Sequence, residues 1–129
     1  CAMVLSDVLD LLSCEVVTGV EYLNRPVTYG CAADLMSDVL AFSGPGALLL
    51  TGLVNVQTIQ TAHISELIAI VLVRGKNPDR NVIEAAREKE IPLLATPYSM
   101  YEACCILYRA GIPSTMICTP SQDSPKVHE

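Results

Sequence analysis

Arg74, Gly75 and Lys76 stand together, with Arg80 close behind, in a chain whose net charge is −6. Clustered cations beside a glycine suit an anion, because guanidinium and ammonium groups donate charge-assisted hydrogen bonds and a glycine lets backbone N–H groups approach. Two further polar pairs, Thr51-Gly52 and Thr96-Pro97, each follow an apolar run. In open parallel sheets, ligands bind beyond such strand ends, where loops and helix N-termini converge. Thr51, Gly52, Arg74, Lys76 and Thr96 are therefore the candidate anion-binding residues.

Other chemistries find less support. A phosphate loop needs a Gly-Lys-Ser/Thr run between strand and helix, and none occurs. Gly44-Pro45-Gly46 precedes its apolar run, and Leu49 stands where a dinucleotide fingerprint needs its third glycine. The cysteines at 1, 14, 31, 104, 105 and 118 form no CxxC, and helix neighbours such as Cys104 and Cys105 diverge by about 100°. Cys104 instead keeps core spacing with Met100 and Leu107, so an iron–sulfur cluster is not expected. His63 belongs to no recognisable Ser/His/Asp or Cys/His set, and intrinsic catalysis is not expected either. Tyr98, Tyr101 and Tyr108 recur at helical spacing and read as core first, partner surface second.

The elements that must position these residues follow from hydrophobic periodicity. Residues 4–12 have helical spacing, and residues 15–18 a short β segment ended by Gly19. Pro26 keeps Arg25 out of the helical region, so residues 27–33 run extended. Asp34 is placed to cap a helix over residues 35–41, which the turn at 43–46 stops. Residues 47–51 and 68–73 are continuous apolar runs, separated by a helix that Asn55 caps and that runs to about residue 62. Asn77 with Pro78 starts a helix with Val82, Ile83 and Ala86 as its inner stripe, followed by a strand at 92–95. Thr96 with Pro97 repeats that cap, and the last helix runs to residue 110, with Gly111 at C′. Strands apolar on both faces, alternating with helices, predict a mainly parallel sheet covered on both sides: a three-layer α/β/α domain over residues 1–112. Residues 113–129 turn to Pro, Ser, Thr and charge and read as a flexible or locally docked tail.

A length of 129 residues suits one domain. Hydrophobic content of 51% and mean hydropathy of +0.42 are high, yet no apolar run reaches the roughly 18–20 residues of a membrane span. The negative charge gives no general reason to bind nucleic acid or an acidic membrane. Cys1-Ala2-Met3 reads as a trimmed end rather than a leader, and the cysteine usage fits a reducing cytoplasm.

Asn24-Arg25-Pro26-Val27-Thr28-Tyr29-Gly30, followed by Asp34-Leu35-Met36-Ser37-Asp38-Val39, resembles the signature of the DRTGG domain. The apolar segments over residues 3–112 are similar to that family's pattern as well. Asn24 stands for the motif's Asp and Tyr29 for its first Gly. The resemblance implies an α/β domain related to the N-terminal domain of HPr kinase/phosphorylase, without that enzyme's P-loop domain. In other proteins such domains are appended to phosphotransacetylases and CBS-containing pyrophosphatases, where they look regulatory and dimer-forming. The expectation for this chain is a homodimeric, non-catalytic regulatory domain that recognises a small anionic metabolite such as an adenine nucleotide. Arg25, Thr28 and Tyr29 are the motif residues left as ligand or partner contacts. The alternative it implies is an accessory or interaction protein of an iron–sulfur (iron-only) hydrogenase or related redox system, because similar stand-alone members occur near such genes.

Overall fold

The structure is a computed structural model that describes residues 3–114. Its elements are α1 (Leu5–Leu11), β1 (Glu15–Thr18), a 3-10 turn (Val20–Tyr22), β2 (Tyr29–Ala32), α2 (Met36–Phe42) and β3 (Ala47–Thr51), then α3 (Val56–Ile64), β4 (Ala69–Leu72), α4 (Arg80–Glu88), β5 (Leu93–Ala95) and α5 (Met100–Arg109). The apolar runs became strands because both of their faces are covered. Every residue of β3, β4 and β5 is buried, and each fully buried Leu there contributes about 2 kcal/mol of transfer free energy.

The five strands lie in the order β1-β5-β4-β3-β2. Strands β2 to β5 follow one another in space and are parallel. Right-handed crossovers taken in one direction put their connecting helices on one face of the sheet. Met36 and Val39 of α2, Ile59 and Ala62 of α3, and Val82 and Ala86 of α4 accordingly share one core with Leu49, Ile70, Leu72 and Leu93. The opposite core joins Leu5 and Val8 of α1 and Ala103 and Leu107 of α5 to Leu48, Leu50, Val71 and Leu94. Three layers result, as the apolar runs predict. β1 is the one antiparallel strand, with Glu15 opposite Ala95 and a bulge between Val16 and Thr18.

Three helix starts differ from the expectation. Asp34 does not cap α2: Leu35 occupies that position with no side-chain bond. The cap of α4 is Asp79, whose carboxylate accepts from Val82 N at 3.0 Å, not Asn77 with Pro78. The cap of α5 is Ser99, which accepts from Glu102 N, because Thr96 is fully buried and its hydroxyl donates to the Leu12 carbonyl at 2.6 Å. Asn55 does cap α3, accepting from Thr58 N at 2.9 Å. Beyond Ser114, the expected tail and its short apolar segment at 116–118 lie outside the described residues. Pro113 itself docks on the sheet, its carbonyl accepting from Gly30 N at 2.9 Å.

Candidate functional site

Beyond the carboxyl ends of the parallel strands, the loops after β2, β3, β4 and β5 bring Asp34, Thr51, Gly52, Arg74, Lys76 and Thr96 to one rim. Asp34 Oδ1 accepts from Thr51 Oγ1 at 2.9 Å and from Gly52 N at 2.8 Å. Thr51 Oγ1 in turn accepts from Leu53 N at 3.1 Å. The loop after β3 is thus tied across to the end of β2 by a carboxylate.

The loop after β4 is held from the other side. Arg74 N donates to the Tyr98 carbonyl and Gly75 N to the Thr96 carbonyl, both at 2.8 Å. Arg74 and Gly75 are consecutive left-handed residues, with φ of 61° and 66°. For Arg74 that conformation costs about 1–2 kcal/mol, and it returns the side chain over the sheet end. A Cβ built on Gly52 would stand 2.9 Å from Arg74 Nη2 and 3.8 Å from Asp34 Oδ1. Glycine at 52 is therefore what leaves room for the guanidinium.

Among the described residues, neither Arg74 nor Lys76 has a side-chain hydrogen bond or ion pair, and both are exposed. Arg80 is less available, its Nε 4.0 Å from Glu84 Oε2. The two carboxylates near these cations, Asp34 and Asp79, are both engaged as acceptors. Chemically, the rim can offer a guanidinium and an ammonium to an anion. Thr96 belongs to the rim by position but faces inward, accepting from Tyr98 N as well as donating to Leu12. Sequence reasoning missed Asp34 as part of the rim. Its signal was a carboxylate one residue past a strand, which reads equally well as a helix cap.

Arg25, Thr28 and Tyr29 lie elsewhere. Arg25 Nη1 donates to the Ile68 carbonyl at 3.0 Å, and its guanidinium carbon sits 4.2 Å from the centre of the Tyr22 ring. Thr28 N donates to Gly46 O, and Tyr29 pairs with Ala47 at the start of β3. These are the amino ends of the strands. A strand rises about 3.3 Å per residue, so roughly 15 Å of sheet separates them from the rim. The two sets cannot grip one small anion together. Arg25 fastens the turn after β1 to the base of β4.

Cys31 of β2 and Cys104 and Cys105 of α5 border one groove, whereas Cys14 packs against the core under α1 and α5. Burial pushes the Cys14 thiol up to about 12 and, with the added effect of Cys104, the Cys31 thiol up to about 11; burial also raises Cys104. Among the described residues no group of three or more His, Cys, Asp or Glu could hold a metal ion. The tyrosines also depart from the core reading. Tyr101 and Tyr108 are 79% and 73% exposed, and only Tyr98 packs against the core. They stand over an apolar groove of about 470 Å³ between β2 and α5, with Gly30, Ala32, Leu50 and Leu107 in its lining.

Together these features define a three-layer α/β/α domain of the open-sheet class, with polar side chains gathered beyond its strand ends. The chain belongs to the DRTGG domain family, whose sequence profile matches residues 7–110. Among solved structures, it is similar to the CBS and DRTGG domains of the regulatory region of Clostridium perfringens pyrophosphatase, crystallised with the activator diadenosine tetraphosphate. The TM-score is 0.69 at 19% identity, over 92% of this chain and 51% of that one. The chain thus spans about half the length of that structure. No curated protein matches it, and no helix among the described residues is long and apolar enough to cross a membrane.

Proposed function

We propose that this chain is a regulatory ligand-binding domain whose rim recognises a small anionic metabolite, an adenine nucleotide in the first instance. The observation that carries the reading is Arg74: its backbone N–H and that of Gly75 each bond to the neighbouring loop, and its exposed guanidinium lies over Gly52 without a partner among the described residues. An unpaired guanidinium gives up no existing bond when it meets phosphate, so its position favours binding. Lys76 adds a second cation two residues on. The likeness to a pyrophosphatase regulatory region crystallised with a dinucleotide activator supports a nucleotide as the first class to try.

Titration calorimetry of the full chain tests this with AMP, ATP, diadenosine tetraphosphate and inorganic pyrophosphate as probes. One of them binds, and the Arg74→Ala/Lys76→Ala variant loses about tenfold or more in affinity without a change in thermal midpoint, since two charge-assisted contacts go. Binding that the double variant leaves untouched moves the ligand off the rim. Failure of every probe to bind removes the nucleotide reading.

A further inference from the structure

The groove between β2 and α5 plays no part in the anion-binding reading of the rim. Strand β2 lies at the edge of the sheet, and its register sets Gly30 and Ala32 on the same face as Leu48 and Leu50, the face that α5 covers. Side chains alternate along a strand, so only these two positions of β2 point toward the helix. One has no side chain and the other a single methyl. The result is a hollow of about 470 Å³ with buried Leu50 and Leu107 in its lining. Helix α5 borders it with Tyr101, Cys104, Cys105, Tyr108 and Arg109. That is i, i+3, i+4, i+7, i+8 spacing, one continuous stripe of the helix, about 12 Å long from Tyr101 to Arg109. Among the described residues Arg109 is the one charged side chain of the lining, and its exposed guanidinium makes no hydrogen bond or ion pair there. Ile112 and Pro113 follow it and lie against Gly30, near the start of β2. Arg109 therefore stands toward the amino ends of the strands, at the opposite end of the sheet from Arg74 and Lys76.

An apolar trough with a free cation at one end is complementary to a molecule with an apolar body and one terminal negative charge. A nucleotide finds a single guanidinium here above an apolar floor, which suits it poorly. A plain hydrocarbon fills the trough but leaves the guanidinium unused. We propose that the β2–α5 groove binds an amphipathic monocarboxylate, an aliphatic chain of medium length that lies along α5 with its carboxylate on Arg109. The volume falls in the lower part of the range of small-molecule pockets, which sets the chain as medium rather than long. Such pockets are apolar with a few polar groups that fix orientation, and Arg109 is placed to be that group. Tyr101 and Tyr108 stand at the lip, where their rings can cover a chain while the phenol oxygens stay in water.

Titration calorimetry of the full chain with hexanoate, octanoate and decanoate, each kept below its aggregation concentration, reads the result. Affinity rises with length, by up to about fifteenfold for each pair of added CH₂ groups. Arg109→Gln weakens octanoate about tenfold and leaves octan-1-ol unchanged, because only the carboxylate meets the guanidinium. Ala32→Phe fills the hollow and abolishes binding of both, and an unchanged or raised thermal midpoint shows that this variant is folded. Saturating octanoate also slows maleimide labelling of Cys105, which is exposed at the groove. The Arg74→Ala/Lys76→Ala variant binds octanoate as the parent does, so this result stands or falls apart from the rim. Absence of binding, affinity indifferent to chain length, or equal losses of acid and alcohol in Arg109→Gln overturns the proposal. Affinity that falls as the protein is concentrated means that a second copy fills the groove instead, and overturns it too.

Discussion

Thr51 ends β3, Asp34 lies two residues past the end of the neighbouring parallel strand β2, and the Asp34 carboxylate accepts from the buried Thr51 hydroxyl at 2.9 Å. The same oxygen accepts Gly52 N at 2.8 Å. One side chain therefore fixes both the end of β3 and the glycine over which Arg74 lies. Asp34→Ala leaves the Thr51 hydroxyl buried without its acceptor and costs about 2 kcal/mol. Asp34→Asn keeps an acceptor oxygen while losing the charge, and costs about half as much. Urea denaturation midpoints of the two variants give the ordering, and equal losses would mean that the charge adds nothing.

The helix caps give a second measurement. Asp79→Ala removes the acceptor of Val82 N and costs about 1 kcal/mol, whereas Asn77→Ala stays within about 0.5 kcal/mol of the parent. Thermal unfolding separates these, and a larger loss at Asn77 would place the start of α4 two residues earlier than the structure does.

The contrast between these sites shows what could be read in advance. The runs at 47–51 and 68–73 are apolar at every position, and only a strand covered on both faces needs that, so the parallel core was legible from side chains alone. Caps were not: Asn77 and Asp79, or Thr96 and Ser99, stand within three residues of each other and are chemically equivalent as acceptors. What separates them is burial, because Thr96 is drawn inward to the Leu12 carbonyl, a partner 84 residues away in the chain. The antiparallel sense of β1 was illegible for a related reason, since four residues carry no record of direction. The rim was legible as cations at strand ends. The grouping of Arg25 with a ligand was carried by the motif, and the structure instead shows its guanidinium bonded to Ile68 and stacked over Tyr22.

Gly19 ends β1 with φ of 93°, and a Cβ there would stand 2.6 Å from the Pro92 Cα. Gly19→Ala must therefore pay for a left-handed backbone and displace a buried chain segment, about 3 kcal/mol together. Gly44, by comparison, has nothing within 4 Å of a Cβ and no positive φ, so Gly44→Ala is neutral or slightly stabilising. Chemical denaturation compares them, and a mild Gly19 variant would mean that β1 can leave the sheet cheaply.

The buried thiols give a pH dependence of definite sign. In the unfolded chain cysteine ionises near 8.5, while Cys14 and Cys31 in the fold hold their protons up to about 12 and about 11. Above about pH 9 the unfolded state binds fewer protons than the native one, so stability falls as pH rises toward these values. Thermal midpoints measured from about pH 8 to 11 decline, and the Cys14→Ala/Cys31→Ala variant declines less. Parallel slopes would show that other groups set the alkaline limit. In the native protein at about pH 8, a maleimide reaches exposed Cys105 well before either of the other two.

The extended approach to β2 receives both ends of the described chain. Val27 N donates to the Met3 carbonyl at 2.8 Å, and three residues later Gly30 N donates to the Pro113 carbonyl at 2.9 Å. The path through the domain therefore closes on itself, leaving close to where it arrives. Such a body can be threaded into a host loop with little displacement of the flanking segments, and its own ends can be spliced by a short bridge while new ends are cut at an exposed turn such as Ser43-Gly44-Pro45-Gly46. A rearranged chain of that kind keeps every strand pairing of the sheet and alters only the order in which they are synthesised.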